Sequence, residues 1–534
     1  MKTTIKNLIL SAALVVGGAS CVDLDTAPYD RETDLTYWEE DPEAAVKALN
    51  TCYTYLGNMD EQLYCEAMTD NAYTKQPNDA TQNIGNGSYS TADPYVKKVW
   101  DGRYTGIRMC NELLENIDRV PDLDPELKKR YIGEAKVLRA YNYYELYTKF
   151  GDVPYTTKVL SIKESMSIAR TAKATVIANV LADLDEVING NYLPTSYDAD
   201  NKGRITRWAA MAIKAKIYLF EGNWTQVKNI TSTIMTEGGF KLFGSYAGLF
   251  EIANEYNSEV ILDAQYRPTS REHQMMYVFL PPTLGGYSQL SPLQELVDSY
   301  IMLDGKTIKE TGTSFDESHP YANRDPRLKA TVMYTGNSYT LADGTEVVIN
   351  CEKGEGKDGY GVGSDCSATG YYIKKYWDNA YRATLYSGLN PILIRYADIL
   401  LMNAEALAEL GELDKTAWDA TIKPIRDRAG FTLASAVEFP EGASKDKLIE
   451  IVRNERRSEL ALEGHRHKDI IRWRIADDVL NGWCHGLKTN EVVGTDNGYV
   501  RVENRAFNAN KHYLWPIPQA ERDLNGNLVQ NPNW

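Results

Sequence analysis

Glu455 and Glu459 lie in the most charge-dense stretch of the chain, Ile451 to Trp473 (IVRNERRSELALEGHRHKDIIRW). On a helical wheel both fall in the middle of an apolar face made by Leu448, Ile451, Val452 and Leu462. Two carboxylates on one face could serve acid–base catalysis. They could equally anchor a buried ion network, because a carboxylate away from water is costly unless a cation meets it. The supply of cations decides between the two. Arg453, Arg456, Arg457, Arg466 and Arg472 belong to the stretch, and Arg426 and Arg428 lie upstream of it. The stretch therefore reads as an ion network that fixes how several helices meet.

Other chemical motifs fail on their context. Gly354-x-Gly356-x-x-Gly359 follows a strand-like Glu346 to Asn350 as a dinucleotide fingerprint should, but no helix pattern follows and Asp358 would face the phosphate. Asp198-x-Asp200 starts like a calcium loop, then places Lys202 at the fifth position and Ala209 at the twelfth. His465 and His467 diverge on a helix, unlike the i, i+4 pair that grips zinc. No HExxH or GxSxG occurs. No cofactor or metal is expected, and the chain reads as no enzyme. A surface glycoside hydrolase with a carboxylate dyad somewhere among the 74 acids is the alternative of another class. The formal charge of −16, without a basic patch, argues against a nucleic-acid partner.

Any site here needs a scaffold, and 534 residues with 43% hydrophobic and 25% charged composition supply a large globular core. Asp41-Pro42-Glu43 opens a helix over Ala44 to Leu56, and further helices are expected at Asp101 to Ile117 and Pro125 to Phe150. Between them, Met59 to Val99 lacks a helical period and mixes Asn, Gln and Asp with tyrosines, as a functional loop system would. Lys214 to Trp224 echoes Asn403 to Leu413: each is an amphipathic helix ending at glycine (Gly222, Gly411) with a second helix starting at once. Such units resemble tetratricopeptide repeats. Between Glu259 and Tyr386 short strand-like pieces (Glu259 to Ala264, Thr345 to Asn350, Tyr371 to Tyr376) alternate with Gly, Pro and Asp turns.

The N-terminus sets the compartment. Lys2 and Lys6 precede an apolar run, Leu8 to Val16, too short to span a bilayer, and Gly17-Gly18-Ala19-Ser20 leads into Cys21. Ordinary signal peptidase would also accept Gly18-x-Ser20, but the cysteine favours a lipoprotein signal of residues 1–20 with Cys21 lipidated. Six cysteines remain without a disulfide framework, although Cys52–Cys65 or Cys351–Cys366 could pair outside the cytoplasm.

Taken in order, several stretches resemble the SusD/RagB family of nutrient-binding outer-membrane lipoproteins of Bacteroidetes. They include Trp100-x3-Tyr104-x2-Ile107-x3-Asn111, Leu138-Arg139-Ala140-Tyr141 with Phe150-Gly151-Asp152-Val153-Pro154, and Arg324-Asp-Pro-Arg-Leu328. Arg395-Tyr-Ala-Asp-Ile-Leu-Leu401, Arg426-x-Arg428-Ala429-Gly430, Glu455-Arg456-Arg457-x-Glu459-Leu460 with Glu463-Gly464-x-Arg466, and Trp515-Pro-Ile-Pro518 continue the series. The resemblance implies a mainly α, SusD-like fold with tetratricopeptide-like helix pairs and a loop-rich insert with short strands. It divides the mature chain into an N-terminal helical region, residues 21–240, and a C-terminal region, residues 241–534. It further implies a lipid-anchored protein on the extracellular face of the outer membrane that delivers oligosaccharides to a SusC-like TonB-dependent transporter. A peptide-binding member of the RagB type is the alternative within the family. Trp100 is expected in the core rather than as a sugar platform.

Sugars offer C–H faces to aromatic rings and hydroxyls to amides and carboxylates, and 36 tyrosines against 10 phenylalanines suit such a ligand. The ligand residues are expected in two loop regions: Asp70, Asn71, Tyr73, Tyr89 and Tyr95 from the first, Tyr287, Trp377 and Tyr381 from the second.

Overall fold

The computed structural model of the chain describes residues 33–75 and 80–534. Cys21 and the signal segment lie outside the described residues. Helices α1 (Ala44–Tyr53), α2 (Met59–Tyr64), α3 (Pro94–Asn116), α4 (Pro125–Phe150) and α5 (Lys173–Asn189) build the N-terminal part. Asp93 accepts from the Tyr95 N–H at 2.9 Å and Asp124 from the Leu127 N–H, each just ahead of a proline; α4 starts at Pro125 as expected, whereas α3 starts at Pro94, seven residues before the expected Asp101. The C-terminal half of α4 is buried almost all round, so it forms the spine against which α3 and α5 pack.

The sequence echo becomes two helix–turn–helix pairs, α6 (Arg207–Phe220) with α7 (Trp224–Glu237), and α8 (Tyr396–Leu410) with α9 (Lys415–Ala429). Gly222 and Gly411 turn with φ of +70° and +73°, a conformation that glycine adopts without strain. Although the insert separates them in the chain, α7 packs directly on α8. The two pairs thus form one continuous helical stack, with α10 (Lys445–Glu459) against α8 and α11 (Arg466–Arg472) following. Trp100 is core, its ring 4.8 Å from Tyr104 and 5.0 Å from Phe150.

Four expectations need correction. The supposed loop from Met59 to Val99 includes α2, a helix at Ala80–Asn86 and β1 (Ala72–Thr74). These pieces are too short to show a helical period. Helix α1 stops at Tyr53, three residues before the expected Leu56. Leu462 does not share a helix with Glu455: α10 ends at Glu459, and Leu462 sits at φ +63° in the turn beyond, buried in a different part of the core from Leu448 and Val452. Neither cysteine pair forms, since Cys52, Cys65, Cys351 and Cys366 are all free thiols. The strand-like pieces of the insert are strands: β2 (Val260–Asp263) pairs with β4 (Ile392–Arg395), β3 (Leu290–Pro292) pairs with β1, and Glu346–Val348 and Tyr372–Ile373 pair within the insert.

The glutamates of α10 are the centre of a buried ion knot. Glu459 accepts from Arg395 Nη1 at 2.6 Å, from Arg327 Nη1 at 2.9 Å and from Arg428. Glu455 pairs with Arg327 and Arg426, both at 2.7 Å. Glu259, Asp325, Glu463 and Lys375 complete it. The five cations (Arg327, Arg395, Arg426, Arg428, Lys375) meet five carboxylates, all buried. Against the opposing effect of burial, pairing of this quality holds the Glu459 carboxyl well below its ordinary range and lowers that of Glu463. The network reading holds, but Arg327 and Arg395, the cations that touch the most carboxylates, come from the insert and from β4 rather than from nearby sequence.

Candidate functional site

The turn from α1 to α2 faces the first turns of α3 across an open cleft of about 370 Å³. Tyr55, Tyr64 and Tyr95 line it, all half-buried. Asn58, Asp60, Glu61, Thr81 and Lys98 supply polar groups around them. The local sequence explains the arrangement. Asn58 caps α2 by accepting from the Glu61 N–H at 2.7 Å, which aims the following acids at the cleft. Arg103, buried on α3, donates to the Tyr55 carbonyl at 3.0 Å and to the Glu61 carboxylate, fastening the turn to the helix behind it. Its guanidinium also lies 5.8 Å from the Tyr141 ring. Gly106 is needed one turn further on, because a Cβ there would meet the Tyr55 Cβ at 2.8 Å.

Of the expected ligand residues, Tyr95 lines this cleft. Tyr287 sits beyond its rim within electrostatic reach of Asp60, its ring 4.6 Å from the exposed Tyr277. The others are placed elsewhere. Asp70 is buried in a clamp of Arg466 (two contacts at 2.8 Å) and Arg457, and these guanidiniums hold its carboxyl well below the usual carboxylate range although burial opposes them. It lines the inner wall of a second open cavity, about 410 Å³, near Trp483. Asn71 donates to Glu66 and accepts from Arg457 within the core. Tyr73 accepts from Gln82 at 3.2 Å, with its hydroxyl pushed up to about 12 by burial. Tyr89 is wedged between the rings of His512 and Trp534. Trp377 donates to the Thr340 carbonyl and packs on Tyr339, and Tyr381 is buried on another side of the insert.

The structure therefore brings Tyr95 together with Tyr55, Tyr64, Asn58 and Asp60, which sequence reasoning did not single out. A signal was present. Tyr53-Thr-Tyr-Leu-Gly-Asn-Met-Asp-Glu-Gln-Leu-Tyr64 places aromatic, amide and acidic residues around a glycine turn between two helices.

A family profile described as the SusD family matches residues 249–534, and one described as starch-binding associating with outer membrane matches residues 37–219. The chain is similar to SusD-like protein P25 of Formosa agariphila, 28% identical over 99% of this chain and 98% of the relative. Among solved structures it is similar to a SusD-like carbohydrate binding protein from Bacteroides fragilis, with a TM-score of 0.81, 29% identity, and coverage of 92% of this chain and 100% of the other. A second SusD-like protein from the same species, 27% identical, also superposes with a TM-score of 0.81, over 95% of this chain and 100% of its own.

Proposed function

The chain belongs to the SusD family, and from that premise we propose that it captures oligosaccharides in the tyrosine-lined cleft for delivery to a SusC-like TonB-dependent transporter. In this reading Cys21 carries the lipid that holds the protein on the outer face of the outer membrane. The cleft carries the proposal. Three tyrosines give the flat apolar faces that sugar rings stack on, and Asn58, Asp60, Glu61 and Thr81 give acceptors and donors for hydroxyls. The likeness to a carbohydrate binding protein at 29% identity supports the same class of ligand. Tyr95 is retained as a ligand residue, with Tyr287 on the outer rim. Glu61, fixed to Arg103, presents its carboxylate to the cleft as a hydrogen-bond acceptor for sugar hydroxyls.

Calorimetric titration against a panel of oligosaccharides and peptides tests this reading, repeated with Tyr55→Ala and Tyr95→Ala. The expected result is oligosaccharide binding that each variant weakens about tenfold, the usual loss on truncating an aromatic anchor. Peptide binding alone would favour the RagB-type reading, and release of shorter products would establish a hydrolase. For the anchor, Cys21→Ala should move the protein from the membrane to the soluble fraction, since acyl chains supply the membrane affinity. Equal fractionation of both forms would refute lipidation.

A further inference from the structure

Behind the cleft, and sharing Gly57, Asn58, Glu61, Tyr95 and Arg103 with it, lies a narrower chamber of about 90 Å³. That is room for several waters or one small ligand group. Its wall is cationic. Lys149 Nζ and Lys468 Nζ grip the two oxygens of Glu145 at 2.6 and 2.9 Å, while Arg103 is matched by Glu61 alone. Lys216 also lines the chamber but is matched at 2.6 Å by Asp398. Glu463 on the same wall is committed to Arg395 and Lys375. Among the described residues lining the chamber, one ammonium is left without a counter-charge.

The lysines are held rather than loose. Lys468 lies 5.6 Å from the Tyr144 ring and Lys149 5.9 Å from that of Trp515, and Lys149 is 91% buried. Each ammonium has three N–H donors, and Glu145 occupies one from Lys468. His467 adds no charge: burial and the two neighbouring ammoniums push it down to about 3. Two buried ammoniums sharing one carboxylate leave a surplus positive charge away from water, which is unfavourable and which an incoming anion would relieve.

We propose that this chamber is an anion-binding subsite of the cleft that takes a carboxylate or sulfate group between Lys468 and Lys149, and hence that the oligosaccharide captured is an acidic one. The second half of the statement rests on the cleft reading, whereas the anion subsite stands on the chamber itself. The anion reaches the chamber either as a substituent of the bound sugar or free from solution, and the two sources are separable.

The experiment is calorimetry on the mature protein in a chloride-poor buffer with three probes: sodium sulfate, an oligogalacturonide, and the same oligogalacturonide methyl-esterified. Wild type, Lys468→Met and Glu145→Gln are compared after thermal melts establish that each is folded. Lys468→Met leaves Glu145 paired with Lys149, and Glu145→Gln adds one more unmatched charge. The expected result is sulfate binding that weakens at least tenfold in Lys468→Met and tightens in Glu145→Gln, opposite shifts that general misfolding would not give. The acidic oligosaccharide should bind at least tenfold tighter than its ester, with sulfate competing. Sulfate binding of this pattern without either oligosaccharide would confirm the anion subsite and remove the cleft reading from this ligand. No sulfate binding, or equal binding by all three proteins, would overturn the proposal.

Discussion

The knot around Glu459 and the chamber beneath the cleft are built from the same residue types, buried at similar depth a few residues apart in the chain. In the knot five cations meet five carboxylates, and Arg395 alone touches Glu259, Glu459 and Glu463. In the chamber Glu145 is shared by two lysines and the remaining charge faces open space. Complete pairing leaves nothing for a ligand to do and fixes geometry. Incomplete pairing keeps a donor in reserve. Charge balance, rather than charge density, separates the structural part of this molecule from its receptive part.

Glu459→Ala attacks the balanced side hardest. It removes one carboxylate from Arg327, Arg395 and Arg428 at once and leaves the knot one negative charge short, and a broken buried pair costs about 3–5 kcal/mol. Urea unfolding should show a loss of that size, and an unchanged midpoint would erase the distinction. Acid tests the same residues. Glu455, Glu459, Glu463 and Asp70 all have carboxyls held below their ordinary values by adjacent cations despite burial. Their contribution is therefore present above the unfolded carboxylate range, about pH 4, and lost as pH falls below it. A melting temperature that stays flat down to pH 3 would contradict this.

Glu66 lies between the two regions and behaves oppositely. Burial pushes its carboxyl up to about 7, although the Asn71 amide and the Gly464 N–H donate to it. A carboxyl raised on folding favours the protonated native state, so stability falls as pH rises from the unfolded value to about 7. At about 1.4 kcal/mol per unit, Glu66→Gln should stabilise by about 3–4 kcal/mol at pH 8 and hardly at all at pH 4. Melts of the variant at the two pH values check it, and an equal effect at both would refute the shift.

The cleft and the chamber should respond in binding rather than in stability. Tyr95→Ala should weaken ligand binding by about 1–2 kcal/mol, read by titration, with little change in melting. Lys468→Met should change stability least, by less than about 1 kcal/mol, because Lys149 still meets Glu145. A large destabilisation in its melt would make the chamber as structural as the knot.

The same contrast explains what was legible beforehand. Glu455 and Glu459 announced themselves because a charge on an apolar face has few explanations, and Asp124-Pro125, Gly222 and Gly411 mark helix ends by local chemistry. Partners set by tertiary approach were not legible: Arg327 lies 132 residues from Glu459. The cleft tyrosines were hidden among their own kind. Tyr143 and Tyr300 are fully buried and Tyr55 and Tyr95 are not, yet the residue type is the same and a tyrosine suits either place. The region Met59 to Val99 was read as a loop system although it holds short helices and a strand, and within it Asp70, Asn71 and Tyr89 had already committed their groups to the interior.

The packing of α7 on α8 across the insert has an evolutionary consequence. The cost of closing a chain loop grows only logarithmically with its length, so doubling the segment between Glu237 and Tyr396 adds only about 0.6 kcal/mol. The two helix pairs can therefore remain joined while the intervening segment is lengthened, shortened or rebuilt. That segment carries the exposed Tyr277 and its neighbour Tyr287, so this junction is where descendants of the same scaffold can exchange one surface for another at little cost to the helical stack.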